Sequence, residues 1–521
     1  MKKAIIFILI LLAFSACTPG SVETEEPFIL GNGTEPETLD IHLMSGVPEH
    51  RIVMGLFEGL VTTNPETALP VPGVAESWTI SDDAKTYTFT LRDDAVWSDG
   101  VPVTAQQFVD SWLRILNPET AAPYAWFPAQ LIAGAEAYNS GEAGPEAVQA
   151  RALDEKTFQF ETLGPAPYVV KALTHYSFWA VPTHTVEEFG SDWTRPENIV
   201  SNGPYTLAEW SPQERLVLEK SDSYWDANKA STDQIVFLPV ESESTMLAMY
   251  QNDEMDWATT VPSEQIDELK VQDDYHNNPA FITYYYVLQT EVPPLDDPRV
   301  RIALSKAIDR VKLVNEVTRG GQVPADGLVP PISGYGEVKG NRLNVAEAQE
   351  LLAEAGYPNG EGFPELEILY NTSEGHKKVA EYIQQQWLET LNINVVLKNE
   401  EWATYLNTRR EGTFQIARAG WAGDYYDPNT FLDLFISGNS MNGGRYSNLE
   451  YDRLITEALQ QTDDASRLEM LNEAESLLIG EDQAIIPIYY YAVNNLIDLN
   501  EWSGWYRNVM DQHPVGHVAS Y

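Results

Sequence analysis

The sequence predicts an α/β protein built from about three domain-sized units. Three observations carry that prediction. Strand-like runs alternate with helical periodicity from residue 280 to 490, the pattern of a sheet covered by helices. From Val61 the texture changes to short alternating strands around one amphipathic helix, a small α+β unit. The chain has 521 residues, and the ~500 that follow an apolar leader can bury a large core.

The elements follow in order. A strand from Phe28 to Gly31 is succeeded by a helix-like segment that ends in Leu56-Phe57-Glu58-Gly59-Leu60, with Val47-Pro48-Glu49 read as a loop between them. Thr86 to Leu91 puts Tyr87, Phe89 and Leu91 on one face of a half-buried strand. Ser98-Asp99-Gly100 is a turn, and Thr104 with Gln107 forms a capping box ahead of Phe108, Val109, Trp112 and Leu116. Phe158 to Leu163 alternates again until Pro165-Ala166-Pro167 stops it. Asn202-Gly203-Pro204-Tyr205 turns into a strand from Thr206 to Trp210, and the strand Ile235 to Val240 feeds a helix that starts after Ser242. Asp297 caps a helix with Pro298 at its first position, and Val300, Leu304, Ala307, Ile308 and Val311 share one face. Asn344 with Glu347 caps the next helix, which ends at Gly356. Ser373 caps a third, whose inner face is Val379, Ala380, Ile383, Trp387 and Leu391, and Ile393 to Leu397 is the strand after it.

The chain begins with Lys2-Lys3, an apolar run from Ala4 to Phe14 and then Ser15-Ala16-Cys17. The apolar run is too short to span a bilayer, so it reads as a signal peptide. Small residues just before a cysteine resemble a bacterial lipoprotein signal, with cleavage after Ala16 and lipid on Cys17. Cys17 is the only cysteine, which leaves no thiol for catalysis, no thiolate metal ligand and no disulfide. Thr18 to Pro27 is a short acidic tether. The formal charge is −46 and becomes −48 once Lys2 and Lys3 leave with the signal. Such acidity argues against nucleic acid and anionic lipid as partners. It either favours cationic ligands at long range or reflects a saline habitat that screens self-repulsion.

One stretch organises the rest. After an apparent strand from Phe414 to Ala417 come Arg418, Ala419, Gly420, Trp421, Ala422, Gly423 and Asp424. The small residues leave backbone that another backbone can approach closely. Arg418 and Asp424 bracket it with opposite charges, and Trp421, Tyr425 and Tyr426 supply rigid walls. A zwitterionic peptide has a complementary group for each part. The same residues also fit a buried turn in which Arg418 and Asp424 pair with each other. His376, in the first turn of the Ser373 helix, is either a donor to an anion at a helix N-terminus or a solvated side chain beside Lys377 and Lys378.

Catalytic constellations are absent from the sequence. It has no HExxH, GxSxG, glycine-rich phosphate loop or EF-hand spacing, and its eight histidines are scattered. Neither a cofactor, a metal nor a catalytic residue is expected.

Four stretches resemble a known family: Trp97 to Ala105 (WSDGVPVTA), Asp297 to Arg301 (DPRVR), Asn371 to Lys378 (NTSEGHKK) and Ala417 to Asp424. They are similar to the oligopeptide-binding proteins of ABC importers, within the peptide/nickel class of extracytoplasmic solute-binding proteins. The likeness runs from about Phe28 to the C-terminus.

That resemblance implies an α/β, two-lobe periplasmic-binding-protein-like fold with hinge crossings and an extra α+β subdomain inserted in lobe I. The implied partition is signal 1–16, tether 17–27, lobe I from 28–60, 181–280 and 492–521, the inserted subdomain 61–180, and lobe II 281–491. Crossings would fall near Pro279 to Ile282 and near Tyr491 to Val493. Asp424 would bind the peptide ammonium, Arg418 and His376 its carboxylate, and Gly420, Trp421 and Ala422 its backbone as an added strand. Trp402, Arg409, Trp421, Tyr285, Tyr491 and Glu49 would line side-chain pockets. Ala422 and Ile282 stand where relatives can carry a cysteine pair. The expected partners are short peptides, a membrane permease, and the membrane through Cys17, with the protein a monomer. Rival readings are a binding protein for an oligosaccharide or metal chelate, a peptidase, and a peptide sensor without transport.

Overall fold

The computed structural model describes residues 26–165, 168–226, 229–338 and 340–521. The signal, Cys17 and most of the tether lie outside the described residues, as do Ala166 and Pro167 of the strand-stopping segment. Four elements open the chain: β1 (Phe28–Gly31), α1 (Val47–Leu56), β2 (Ala75–Ile80) and β3 (Thr86–Leu91). They are followed by α2 (Ala105–Leu116), β4 (Ala150–Ala152) and β5 (Thr157–Glu161). The strands β2, β3, β5 and β4 form a four-stranded antiparallel sheet. Tyr87, Phe89 and Leu91 of β3 are buried, and α2 carries the expected reciprocal capping box between Thr104 and Gln107. This is the α+β subdomain.

The main sheet has eleven strands among the described residues. Its first half contains β6 (Tyr205–Ser211), β7 (Arg215–Lys220), β8 (Gln234–Leu238) and β9 (Trp257–Ala258), with α3 (Glu243–Gln251) between the last two. Two long strands, β10 (Tyr275–Leu288) and β14 (Ile485–Ile497), run through the middle. The second half holds α4 (Pro298–Lys306), α5 (Val345–Glu354), β11 (Leu366–Asn371), α6 (Glu374–Leu391), β12 (Val395–Glu400), α7 (Trp402–Glu411) and β13 (Ile416–Ala422). Strand order is β12-β11-β13-β10-β14-β9-β1-β8-β7-β6, with a short strand, Val323–Pro324, also paired to β14. The β10–β14 register breaks between Pro279 and Thr283. On one side of the break lie the neighbours of β1, on the other those of β13, and the result is two lobes joined by the paired strands. Side chains of β10 alternate as a twofold period requires. Tyr284 and Tyr286 join the core under α4 and α6, whereas Tyr285 and Val287 join the core on the opposite face.

Three local expectations need correction. Val47-Pro48-Glu49 is the first turn of α1, not a loop. Proline suits that turn because first-turn N–H groups have no intrahelical acceptor to lose. The helix capped by Asp297 stops at Lys306, so Val311 falls on the next short helix and is 60% exposed. The strand read as Phe414 to Ala417 starts at Ile416 and continues through the glycine-containing stretch to Ala422. Small side chains there weaken strand propensity, but pairing with β10 along the whole length overrides it.

Candidate functional site

The site is built on one edge of β13. Along its first edge β13 pairs with β10 from Ile416 to Ala422. Along its second edge it meets β11 only at Ile416 and Ala417. From Arg418 onward that second edge has no strand beside it among the described residues; the Arg418 carbonyl is taken by the Tyr405 hydroxyl, and the edge beyond it is open to an added strand. Two adjoining cavities of about 160 and 400 Å³ face it, and Arg418, Gly420, Ala422, Trp402 and Val47 line both. They are compartments of one cleft between the lobes.

Asp424 lies at one end, in the first cavity, and is 8% exposed. Its backbone N–H donates to Thr430 Oγ1 at 2.9 Å. Its Oδ1 accepts from the Tyr124 hydroxyl at 3.4 Å and lies 3.3 Å from His175 Nε2. The His175 imidazole beside it is uncharged. The Ser177 backbone N–H donates to His175 Nδ1, which leaves the proton on Nε2, and burial, then His50, holds the imidazole well below its ordinary pKa. Asp424 therefore has no cation, and its Oδ2 is buried without a partner. Burial, with Asp433 adding to it, pushes the Asp424 carboxyl well above 3.8.

Arg418 lies at the other end and does not pair with Asp424. Its Nη2 donates to the Tyr491 hydroxyl at 2.7 Å and its Nη1 to Asn371 Oδ1 at 3.3 Å, while the guanidinium sits 4.8 Å above the ring of Tyr284. All three partners are neutral, and Arg418 Nε is buried with no acceptor. The Tyr405 hydroxyl donates to the Arg418 carbonyl. His376 lines the second cavity with Arg418 and packs against the Tyr284 ring at 5.6 Å. It is part-buried, not a solvated first-turn residue. Burial and then the Arg418 charge hold its pKa well below 6.5.

Trp402, Arg409, Tyr285 and Trp421 line the first cavity, and Tyr491 and Trp402 the second. Glu49 does not line either one. It is fully buried under the first turn of α1, where its Oε1 accepts from the Glu37 backbone N–H at 2.6 Å and from Trp402 Nε1 at 3.2 Å. Helical geometry at 47–49 turns Glu49 inward, so it steadies Trp402 from behind, and burial raises its carboxyl to about 7. Ser45 and Gly46 form that wall instead. Ile282 and Ala422 face each other in register, as the missing cysteine pair requires. Sequence reasoning missed Tyr124 and His175. Tyr124 lies 300 residues from Asp424, and no local pattern marks either residue.

Residues 70–443 match the family described as bacterial extracellular solute-binding proteins, family 5 Middle. This chain belongs to that family. Within the family it is 41% identical to the periplasmic oligopeptide-binding protein OppA of Escherichia coli, over 95% of this chain and 92% of the relative. An oligopeptide-binding protein of an ABC transporter from Borrelia burgdorferi superposes with a TM-score of 0.93 at 40% identity, covering 95% of this chain and 99% of that one. The E. coli murein tripeptide binding protein MppA gives 0.91 at 35% identity, covering 95% and 98%, whereas its unliganded open form gives 0.63, covering 95% and 96%. A lower score for the open form of one sequence marks the lobes of this family 5 member as closed.

Proposed function

We propose that this chain is an extracytoplasmic receptor that captures short peptides by their backbone and termini and delivers them to the permease of an ABC importer. The observation that carries this reading is the pair of unsatisfied atoms at the two ends of one free strand edge. Asp424 Oδ2 is an acceptor without a donor, and Arg418 Nε is a donor without an acceptor. An extended zwitterion laid along Gly420, Trp421 and Ala422 satisfies both, and its backbone completes the edge by strand addition. Asp424 receives the ammonium; Arg418 and His376 receive the carboxylate. The aromatic walls of Trp402, Trp421, Tyr285 and Tyr491, with Arg409, leave room for varied side chains and water.

An oligosaccharide or metal chelate has no ammonium to meet Asp424, so the acidic residue favours a peptide. The protein acts by binding and closure, without chemistry on its cargo, as a monomer held to the membrane by lipid on Cys17. The partition into 28–60, 181–280 and 492–521 as one lobe, 61–180 as insert and 281–491 as the other remains part of this reading, supported by the register break after Pro279. Native mass spectrometry of the purified protein tests the function: co-purifying masses of short peptides support it, and a sugar or chelate mass in their place overturns it.

A further inference from the structure

Two helices begin face to face across the cleft, one from each lobe. Ser242 caps α3 by accepting from the Thr245 N–H at 3.1 Å, and Ser373 caps α6 by accepting from the His376 N–H at 3.4 Å. A glutamate follows each cap, and each glutamate reaches the other helix. Glu374 Oε1 accepts from Ser242 Oγ at 2.8 Å and its Oε2 from Ser244 Oγ at 2.9 Å. Glu243 Oε1 accepts from the Gly375 N–H at 3.3 Å and from Ser373 Oγ at 3.4 Å. Each carboxylate thus sits against the positive end of the opposite helix, where two unshielded N-termini would otherwise oppose one another. Gly375 makes the approach possible, because a Cβ there would stand 2.9 Å from Glu243 Oε1. One turn into α6, Lys378 Nζ reaches Glu264 Oε2 at 2.6 Å and adds a third tie.

The ties end on the ligand wall. Glu243 holds Ser373, Ser373 holds the His376 amide, and the His376 side chain lines the cleft beside Arg418. We infer that Glu243 and Glu374 are positioning residues: they form a reciprocal clasp that keeps the lobes shut and fixes His376 at the carboxylate end of the ligand. This inference rests on the peptide reading above. Burial raises the Glu243 carboxyl to about 7, with Gly375 N–H and Lys378 opposing and Glu374 adding. A neutral amide of the same shape therefore substitutes for it.

The test uses the full chain, wild type and the variants Glu243→Ala, Glu374→Ala and Glu243→Gln. Stopped-flow fluorescence follows dissociation of alanine peptides of two to six residues. Both alanine variants should raise the dissociation rate about tenfold, chiefly for the lengths that His376→Ala weakens. Association rates should stay within about twofold of wild type, since closure follows encounter. Glu243→Gln should recover most of the loss. Hydrogen exchange supplies a readout free of any ligand: the Gly375 amide has no intrahelical acceptor, so Glu243→Ala should speed its exchange. Dissociation rates equal to wild type overturn the clasp, and equal losses at every length overturn its positioning of His376. If the wild type binds no peptide, the peptide reading fails and Gly375 exchange decides the clasp alone: unchanged exchange in Glu243→Ala overturns it.

Discussion

Asp424 and Arg418 stand at opposite ends of one unpaired strand edge and share no contact, although their charges are opposite. Each is surrounded by neutral partners: Tyr124, His175 and Thr430 for the carboxyl, Asn371, Tyr491 and Tyr284 for the guanidinium. Separating two buried charges that could have paired leaves each one short of a counter-ion. In the proposed reading a free peptide supplies both at once, and the spacing between them sets the length of the ligand.

Length dependence follows from that spacing. Each residue added to an extended peptide moves its carboxylate by ~3.3 Å, and a single cation cannot follow. Arg418 lies on the strand itself, and His376 comes from the start of α6 in the adjoining cavity. Arg418→Ala and His376→Ala should therefore weaken different length classes, shorter peptides for the first and longer for the second. Titration of alanine peptides of two to six residues against both variants checks this. Equal losses at every length would assign both residues to structure.

Acidity should act through Asp424 with a definite sign. Its folded, ligand-free pKa is raised above 3.8 by burial. The stability linked to this group is full below 3.8 and is lost as pH rises through the folded value, because the free protein must then hold an unpaired buried charge. A bound ammonium removes that loss. The thermal stabilisation given by saturating trialanine should thus be larger near about pH 7 than near about pH 5. In Asp424→Asn that pH difference should vanish. Glu49 and Glu243, each raised to about 7 by burial, titrate in wild type and variant alike and cancel in the comparison, whereas Asp433, also raised to about 7, feels the Asp424 charge and shifts with it. A pH difference retained by Asp424→Asn would locate the effect elsewhere.

Much of the fold was legible because local chemistry and tertiary packing agree. The caps at Thr104, Ser242, Asp297, Asn344 and Ser373 are all present, and the apolar faces they start are buried. Where they disagree, the sequence misled. Pro48 signals a loop but sits in a first turn, where it costs no hydrogen bond. Val311 keeps the helical period but belongs to a different helix and faces solvent. The ends of the site were readable, since glycine and alanine between opposite charges is an unusual string. Whether those charges pair was not, because the answer depends on Tyr124, His175, Asn371 and Tyr491, which the fold brings in from distant positions. Glu49 was misplaced for the same reason: one turn of helix decides whether it faces the cleft or the core.

Cys17 should serve as a lipid site alone. Cys17→Ser should move the protein from the membrane fraction to the soluble one, with peptide affinity unchanged. Immunoblots of the two fractions check the first outcome and calorimetry the second. Retention of the variant on membranes would contradict the anchor.

The central claim is that Asp424 receives the free amino terminus of a bound peptide. Its most direct test is calorimetry of one alanine tripeptide, free and N-acetylated, against wild type and Asp424→Asn. Removing one member of a buried ion pair typically costs ~3–5 kcal/mol, which is about two to four decades in affinity. Wild type should bind the free peptide and lose it by that margin on acetylation, and Asp424→Asn should lose a similar margin while melting cooperatively. Tight binding of the acetylated peptide by the wild type, or undiminished binding of the free peptide by Asp424→Asn, would contradict the account.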